Sequence, residues 1–580
     1  MLRTLTKQIK QYKKQTILTP LLTAAEVVTD VLIPFVIASL IDKGISQGNI
    51  QNVYLYGSVM LVMAFLSLFF GVSAGRCAAV ASSGFAANLR SAMYKNIQTY
   101  SFANIDKFSS SGLVTRMTTD VTNLQNAFQS ILRITVRAPL RLILSIVMCI
   151  VIDVRLSLIF IVALVVLSSL LYIIISKVSK IFTQVFAQYD NVNSVVQENI
   201  SGIRVVKSFV REEHEKQKFD KVAKGLYNLY VRAEKLMAYN NPVMNMVVYG
   251  CIIALSWWGA HFIVEGSLTT GELTSLFTYV MSILMSLMML SMIFVMLTMS
   301  SASGKRVAEV INMQTDICDP QNPLTDVKSG AIDFSHVYFA YPRGSGEYAI
   351  SDLDFHIFGG QTIGVIGPTA SGKSSLVNLI SRLYDADKGT VSVGGIDVRN
   401  YNLKTLRDNV AVVLQKNVLF SGTIAENLRW GNQDATLDEL KRVCGIAQAS
   451  EFIDLLPDGY DTVLEQGGVN LSGGQKQRLC IARALLKKPK ILILDDSTSA
   501  CDNDTDKKIR QALKTEVKDM TTVIIAQRIS SVKDCDMIIV LDSGRLVGFD
   551  KHENLIENNA IYQDICALQE EDGGDFDKKM

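Results

Sequence analysis

The chain has 580 residues, of which 49% are hydrophobic and only 19% are charged. A chain of this length exceeds one ordinary hydrophobic core, so we expect at least two domains. Its 57 basic and 55 acidic side chains leave a formal charge of +2, which gives no sign of a nucleic-acid partner. The nine cysteines include no Cys-x-x-Cys pair, which excludes a disulfide framework or a zinc site and is typical of a reducing compartment.

Apolar stretches before about residue 300 predict six membrane-spanning helices. Each is close to the roughly 20 residues that a helix needs to cross a bilayer. The first stretch is too long for a cleavable signal peptide, and it contains Glu26 and Asp30. We therefore expect retained spans at 16–41, 53–75, 134–152, 155–176, 243–264 and 274–299.

Basic residues set the expected orientation of these spans. The first 14 residues hold five basic side chains and no acid, which places the N-terminus in the cytoplasm. Residues 76–141 contain eight basic and two acidic side chains, and residues 177–235 contain eleven and seven. We expect both segments to be cytoplasmic excursions of the span helices, with tips near Ser109–Gly112 and Ser201–Gly202.

Three groups of side chains within the spans have both a structural and a functional interpretation. The methionines of the sixth span favour ordinary packing, with a promiscuous hydrophobic cavity as the alternative. Glu26 and Asp30 share one face of the first span, where they either attract a cationic substrate or pair inside the bundle. Arg133, Arg137 and Arg141 repeat every four residues, which favours a positive-inside anchor over phosphate contact. The methionines are Met281, Met285, Met288, Met289, Met292, Met296 and Met299.

The second half of the chain contains a phosphate-binding motif. After the apolar strand Thr362–Ile366, the sequence Gly367-Pro368-Thr369-Ala370-Ser371-Gly372-Lys373-Ser374 fits the pattern G-x-x-x-x-G-K-[ST]. Backbone N–H groups of such a loop surround a phosphate, the lysine adds a positive charge and the serine supplies an oxygen for Mg²⁺. The pattern predicts a nucleotide site, with an incidental Gly-rich turn as the alternative.

Two further motifs extend this prediction. The buried apolar strand at 491–494 ends in Asp495, a carboxylate that can hold Mg²⁺ through water opposite the phosphate loop. The sequence Leu471-Ser472-Gly473-Gly474-Gln475 opens a helix and forms a second anion-binding helix start. One nucleotide needs only one such helix start, so we expect Ser472–Gln475 to serve a nucleotide held by another chain.

This ordered set of motifs resembles the ABC (ATP-binding cassette) transporter family, and within it the exporter-type half-transporters, over nearly the whole chain. The resemblance implies an α-helical six-span transmembrane domain fused to an α/β P-loop ATPase domain. It also implies a dimer that holds ATP between two ATPase domains, which the excursion tips contact. We expect a transmembrane domain at 1–305, a linker at 306–328, an ATPase domain at 329–568 and a disordered acidic tail at 569–580.

The resemblance also implies the cofactors, ATP and Mg²⁺, and the residues that hold them. Tyr341 matches the aromatic residue that stacks on adenine, and Asp502 in Ser499-Ala500-Cys501-Asp502 matches the loop that joins the two ATPase domains. The implied Mg²⁺ ligands are Ser374, Gln415 and Asp495. The implied cofactor-binding residues are Tyr341, Gly367, Pro368, Thr369, Ala370, Ser371, Gly372, Lys373, Ser374, Ser375, Gln415 and Asp495. The implied signature acting in trans is Leu471, Ser472, Gly473, Gly474 and Gln475.

Two catalytic positions depart from the family pattern, with Asp496 in place of Glu and Gln527 in place of His. Aspartate is one methylene shorter, and a misplacement of about 1 Å can cost on the order of 100-fold in rate. Glutamine retains a hydrogen-bond donor but cannot become cationic. Neutral drift to a slower site is one explanation. We favour the other, a heterodimer in which this site holds ATP and the partner supplies Glu and His.

The expected function is therefore that of one subunit of an ATP-driven exporter in a bacterial inner membrane, with both termini cytoplasmic. A hydrophobic or amphipathic drug-like molecule is the expected substrate. Lipid flipping and an ATP-gated channel or regulatory subunit are the alternatives.

Overall fold

A computed structural model of the chain describes residues 1–341, 346–497, 501–517 and 519–572. The chain divides into two compact units. The first comprises residues 1–98 and 111–313, and the second comprises residues 99–110 together with the chain from 314 onwards. A short segment of the first predicted excursion therefore belongs to the unit that also contains the phosphate loop.

The described elements of the first unit are helices, because a helix satisfies the backbone hydrogen bonds of apolar segments internally. One helix of the second unit, α4, and the first residue of α5 interrupt this series in the chain. In order the helices are α1 Leu2–Thr6, α2 Lys13–Leu40, α3 Ile50–Ile97, α4 Phe102–Phe108, α5 Ser110–Thr115, α6 Val121–Ile152, α7 Val154–Ser201, α8 Ile203–Ser208, α9 Glu212–Met237, α10 Asn240–Val264 and α11 Thr270–Asn312.

Six helical segments among the described residues are long and apolar enough to cross a membrane, which confirms the predicted number of spans. Two of the helices, α3 and α7, each continue for 48 residues, well beyond the predicted spans. The first excursion has the predicted break at Ser109, where α4 ends, and a further break before it, because Ser101 forms a capping box with Asn104 and starts α4 there. The second turn follows Ser201, as predicted.

Hydroxyl groups attach α11 to α2 inside the first unit. The Tyr279 hydroxyl donates a hydrogen bond to the Val31 carbonyl oxygen at 2.7 Å, and the Ser275 hydroxyl donates one to the Pro34 carbonyl oxygen at 2.5 Å. Tyr279 is fully buried among apolar side chains. The sixth span therefore packs against the first along this face.

The second unit contains two main β-sheets. The strands are β1 Ile332–Phe339, β2 Ile350–Ile357, β3 Thr362–Ile366, β4 Lys388–Val393, β5 Ile396–Asp397, β6 Val410–Val413, β7 Gly422–Thr423, β8 Val463–Leu464, β9 Ile491–Asp495, β10 Thr521–Ile525, β11 Met537–Asp542 and β12 Arg545–Asp550. One sheet has the order β2-β1-β4-β5 with antiparallel pairs. The other has the order β12-β11-β3-β10-β9-β6 and is parallel except for β12.

Helices around these sheets complete an α/β domain, which confirms the predicted fold class. They are α12 Lys373–Ile380, α13 Leu403–Asn409, α14 Ile424–Leu428, α15 Leu437–Ile446, α16 Ser450–Ile453, α17 Gly473–Leu485, α18 Asn503–Glu516, α19 His552–Asn558 and α20 Ala560–Asp572. Because α20 contains no Gly or Pro to stop it, residues 569–572 of the predicted tail are helical. The rest of that tail lies outside the described residues.

The parallel sheet brings the sequence motifs to one edge. Ile525 at the end of β10 pairs with Val365 of β3 on one side and with Asp495 of β9 on the other. Val413 at the end of β6 pairs with Leu494. Carboxyl ends of parallel strands point the same way, so the residues that follow these four strands lie close together.

Candidate functional site

The phosphate loop joins the end of β3 to the start of α12. Gly372 has a φ of 97°, in the left-handed region that favours glycine. A Cβ atom added there would lie 2.8 Å from the Ala349 carbonyl oxygen. Both the backbone conformation and the space therefore require glycine at this position, where α12 presents its N–H groups.

Lys373, the first residue of α12, folds back over the loop. Its Nζ donates hydrogen bonds to the carbonyl oxygens of Gly367 and Pro368, both at 2.7 Å. Burial lowers the pKa of Lys373, and the charges of Asp495 and Asp496 partly oppose that shift. The loop thus holds a partly desolvated cation beside two carboxylates, an arrangement suited to a highly charged anion with a divalent cation.

Asp495 and Ser374 form the candidate magnesium position. Burial raises the pKa of Asp495, and the neighbouring Ser374 side chain partly opposes that shift. Asp495 is 7% exposed. The described residues contain no group of three or more His, Cys, Asp or Glu side chains that could hold a metal alone. A hydroxyl and a carboxylate at a phosphate loop fit Mg²⁺, which usually keeps water and phosphate oxygens as most of its ligands.

Asp496 lies between the side chains that follow β6 and β10. Its Oδ2 accepts hydrogen bonds from Gln415 Nε2 at 3.3 Å and from Gln527 Nε2 at 3.1 Å. Burial raises the pKa of Asp496, while the Gln415 hydrogen bond and the charges of Arg528 and Lys373 lower it. The structure thus brings together the two residues that depart from the family pattern.

The backbone of Asp496 is also unusual. Its φ is 48°, in the left-handed region, and its N–H donates a hydrogen bond to the Ile525 carbonyl oxygen at 2.9 Å. Aspartate is enriched several-fold over most side chains in that region, because its short polar side chain tolerates it. The local backbone therefore suits aspartate.

Tyr341 was expected to stack on adenine, and in the structure its hydroxyl lies against α12. The hydroxyl oxygen is 3.1 Å from Ser375 Oγ and accepts a hydrogen bond from Asn378 Nδ2 at 3.2 Å. Its ring meets the ring of Tyr384 edge to face, with centroids 5.2 Å apart. Tyr341 therefore contacts the helix that begins with the loop lysine, and its expected role toward adenine stays a prediction.

Tyr384 and Asp106 were not found by sequence reasoning. The Tyr384 hydroxyl donates a hydrogen bond to Asp106 Oδ2 at 2.5 Å, and its ring packs near Phe102. Burial and the Asp106 carboxylate raise the pKa of Tyr384. No sequence motif marks either residue, because the contact joins α4 to a turn 278 residues later.

The second glycine-rich motif starts α17. The Ser472 hydroxyl accepts a hydrogen bond from Gln475 N at 3.3 Å, and Ser472 N donates one to Gln475 Oε1 at 2.8 Å. This reciprocal capping box fixes the helix start, while Ser472 and Gly473 remain exposed. The motif thus presents an ordered helix start at the surface, at a distance from the phosphate loop along the chain and on a different helix.

The predicted joining loop is described only in part. Asp502 caps α18 by accepting a hydrogen bond from Thr505 N at 3.0 Å, and Cys501 is 8% exposed. Ser499 and Ala500 lie outside the described residues. A function of this loop in joining two ATPase domains stays a prediction.

Comparison with known proteins identifies the family. Residues 16–304 match the family described as ABC transporter transmembrane region, and residues 350–499 match the family described as ABC transporter. The chain is 36% identical over 549 residues to the uncharacterized ABC transporter ATP-binding protein YfiB of Bacillus subtilis (strain 168), covering 95% of each protein. The chain therefore belongs to the ABC transporter family.

Two further similarities refine this assignment. The chain is 32% identical over 403 residues to the probable multidrug resistance ABC transporter ATP-binding/permease protein YheI of the same Bacillus strain, covering 69% of each. It shares its fold with a bacterial Atm1-family ABC exporter with ATP bound, at a TM-score of 0.80 and 24% identity, covering 96% of this chain and 99% of that one. The chain thus has the fold of that exporter, with six candidate membrane-spanning helices and a fused ATPase domain.

Proposed function

We propose that this chain is one subunit of a heterodimeric exporter, that its own nucleotide site binds ATP with Mg²⁺ but hydrolyses it slowly, and that its signature serves the partner's site. The observation that carries the proposal is the contact between Gln527 and Asp496. Lys373, Ser374, Gln415 and Asp495 match the family pattern for binding. Only the two residues expected to act on the attacking water differ from it.

The geometry around Asp496 supports slow hydrolysis. A carboxylate that is one methylene short sits further from an attacking water, and about 1 Å of displacement costs on the order of 100-fold in rate. Two amide donors on Oδ2 hold the side chain against Gln415 and Gln527. Gln527 cannot carry a positive charge, so it offers less stabilisation of charge on a phosphoryl group than a histidinium.

The signature supports a function in trans. Ser472–Gln475 is ordered by its own capping box, and Ser472 and Gly473 are exposed. A helix start with free N–H groups binds phosphate, and this chain already has one at Lys373. A homodimer would combine two weak sites with two good signatures, whereas a heterodimer lets this signature complete a hydrolysing site on the partner.

Exposed apolar residues at the second excursion tip support docking on a partner ATPase domain. In the first unit, Phe209 is 73% exposed and Val210 is 79% exposed, next to α8. In the second unit, the rings of Phe420 and Trp430 stack with centroids 4.2 Å apart, and both are exposed. The partner subunit's excursion tip would cover these rings, and the excursion tip of this chain would cover the equivalent surface of the partner. Both apolar surfaces would then be removed from water.

The sixth span supports a hydrophobic or amphipathic substrate. Met281, Met285 and Met292 of α11 are exposed in the single chain. Flexible methionine side chains suit binding of varied apolar molecules, and YheI is named as a probable multidrug resistance transporter. We place the exporter in a bacterial cell membrane with both termini in the cytoplasm, in agreement with the bias of basic residues.

The proposal is tested by measuring ATPase activity in lipid nanodiscs. The chain is assayed alone and with a second half-transporter chosen for Glu and His at the positions matching Asp496 and Gln527. We expect the chain alone to bind ATP with little turnover, and the pair to turn over ATP at one site. Lys373→Ala should abolish binding at this site only. Rapid turnover by the chain alone, still dependent on Lys373, contradicts the proposal.

A further inference from the structure

The row of arginines on α6 faces other helices of the first unit. Arg137 forms an ion pair with Glu26 of α2, and their side chains are 26% and 9% exposed. Arg133 and Arg141 lie one turn before and after Arg137, on the same helix face. The middle arginine of the row therefore engages a carboxylate inside the helix bundle, and the positive-inside anchor stays a prediction for the row as a whole.

Two glycines bring α3 close to this row. A Cβ atom added at Gly71 would lie 2.8 Å from Glu26 Oε1. A Cβ atom added at Gly75 would lie 3.6 Å from Arg133 Nη1. The two glycines are four residues apart and share a helix face. The charged groups therefore lie in a seam where α2, α3 and α6 meet.

The charges in this seam are not balanced. Glu26 is engaged by Arg137, and Asp30 accepts a hydrogen bond from the Ser67 hydroxyl at 2.5 Å. Within the described part of the chain, Arg133 and Arg141 have no ion pair or hydrogen bond. Both are half-buried in an apolar helix bundle, where an uncompensated charge is unfavourable. An anion in the seam would compensate them.

Buried polar atoms beside the seam also lack partners within the described residues. They are Arg141 Nε, Glu26 Oε2, Thr23 Oγ1 and Ser145 Oγ. Thr23 and Ser145 are fully buried, and Ser145 lies one turn beyond Arg141 on α6. Buried hydroxyls and guanidinium groups almost always have hydrogen-bond partners. Arg141 Nε and Ser145 Oγ thus offer two buried donors without partners, one turn apart on α6.

We propose that Arg141, with the Ser145 hydroxyl, binds the anionic group of an amphiphile, a carboxylate or a phosphate. Arg133 offers a second cation about 12 Å away along α6, at 1.5 Å per residue. Arg137 is a positioning residue, because Glu26 engages it. The inference rests on the proposed export function and narrows the substrate class to anionic amphiphiles, instead of the cationic ones that Glu26 and Asp30 suggest from sequence.

The test compares three probes that share one fluorescent apolar body: pyrenebutyrate, its uncharged amide, and pyrenebutylamine. Binding is measured by fluorescence anisotropy to the full dimeric transporter in phosphatidylcholine nanodiscs. A charge-assisted hydrogen bond corresponds to about tenfold or more in affinity, so we expect pyrenebutyrate to bind at least about tenfold more tightly than the amide. Equal affinities for all three probes overturn the inference.

Variants separate charge recognition from a structural effect. Arg141→Gln should remove the preference for pyrenebutyrate and leave the affinity for the amide unchanged, whereas Arg141→Lys should keep most of the preference. Arg155→Gln is the matched control, because Arg155 pairs with Asp153 at 3.1 Å at the start of α7. Loss of affinity for all three probes in Arg141→Gln indicates a structural role and counts against the inference.

Lipid composition identifies the source of the anion. If a lipid headgroup occupies the site, phosphatidylglycerol in the nanodiscs weakens pyrenebutyrate binding to the natural chain but not to Arg141→Gln. If added amphiphiles are the ligands, lipid composition has no such selective effect.

ATPase activity measured on the same samples separates the anion site from the proposed export function. If the amide stimulates ATPase activity and pyrenebutyrate binds no more tightly than the amide, the anion site is rejected and the proposed export function is retained. Acid-selective binding without stimulation by any probe supports the site and counts against export of such amphiphiles.

Discussion

Gln527 donates a hydrogen bond through Nε2 to Oδ2 of Asp496 at 3.1 Å, so the two departures from the ABC family pattern contact each other. Gln415 Nε2 reaches the same oxygen at 3.3 Å. Hydrogen bonds to a carboxylate oxygen favour its charged form and reduce its basicity. Because they contact one another, Asp496 and Gln527 should be changed together.

Restoring both positions is the first prediction. Asp496→Glu with Gln527→His should raise hydrolysis at this site by on the order of 100-fold, because the carboxylate regains about 1 Å of reach. The effect of the double change should differ from the product of the effects of the two single changes, because the two side chains are in contact. The measurement is single-turnover hydrolysis in the proposed heterodimer, with the partner's site disabled.

Asp458→Glu serves as the control for this pair, because it makes the same chemical change at an exposed residue. It should leave hydrolysis unchanged. The left-handed backbone at position 496, with a φ of 48°, makes Glu slightly less favourable there, so a small loss of stability should accompany the gain. Unchanged hydrolysis in a folded double variant rejects misplacement as the cause of slow turnover.

The second prediction concerns the signature. Ser472→Ala removes the hydroxyl that caps α17 and should cost about 1 kcal/mol of stability. If the motif acts in trans, the same change should also abolish steady-state ATPase activity of the proposed heterodimer while leaving ATP binding at Lys373 intact. Thr436→Ala removes an equivalent capping box, shared with Glu439, at the start of α15. Thr436→Ala should lower stability by a similar amount without loss of ATPase activity. Equal losses of ATPase activity in both variants would assign Ser472 a purely structural role.

The fold was predictable because its signals are local. Uninterrupted apolar runs specify spans, and the motif at Gly367–Ser374 lies between a strand and a helix as its chemistry requires. The break at Ser109 was predicted, whereas the earlier one was missed, because a capping box at Ser101 starts a new helix before the predicted tip. That choice depends on hydrogen bonds of two polar side chains and leaves no trace in hydropathy.

The parts of the site that were not predictable depend on contacts between distant residues. The sequence marked Asp496 and Gln527 separately, but only the order of β9 and β10 places them side by side. The Tyr384 contact with Asp106 has no motif at either end. The pairing of Arg137 with Glu26 depends on how α2 packs against α6, which the spacing of the arginines alone could not show.

The third prediction is a pH dependence. Burial raises the pKa of Asp496 above its ordinary value of 3.8. A base acts only when deprotonated, so residual hydrolysis at this site should increase as pH rises through that raised pKa. Gln527 does not titrate, so no second ionisation is expected, whereas Gln527→His should add one near an ordinary histidine pKa of about 6.5. Single-turnover rates over the acidic and neutral range measure this, and a second inflection already present in the natural chain contradicts the assignment.

The fourth prediction separates backbone strain from a clash at the phosphate loop. Gly372→Ala places a methyl group 2.8 Å from the Ala349 carbonyl oxygen at a φ of 97°. Gly395→Ala has a similar φ of 77° with nothing within 4 Å. Both variants should lose about 1 kcal/mol of stability from the left-handed backbone. Only Gly372→Ala should weaken ATP binding, by about tenfold or more, and equal ATP affinities measured by fluorescent-nucleotide titration would show that the loop shape is not needed.

The fifth prediction concerns the contact between Tyr384 and Asp106. Tyr384→Phe removes one hydroxyl from a side chain that is 7% exposed and leaves its ring in contact with Tyr341. We expect a loss of about 1 kcal/mol in the attachment of α4, detected as faster proteolysis between α3 and α4. Because α4 is continuous in sequence with α3, substrate-stimulated ATPase activity should fall while ATP affinity stays unchanged.

Tyr348→Phe, at an exposed tyrosine, is the control for this prediction. In a double-mutant cycle, Asp106→Asn should have much less effect once Tyr384 is Phe, and additive effects would show that the hydrogen bond does not carry the coupling.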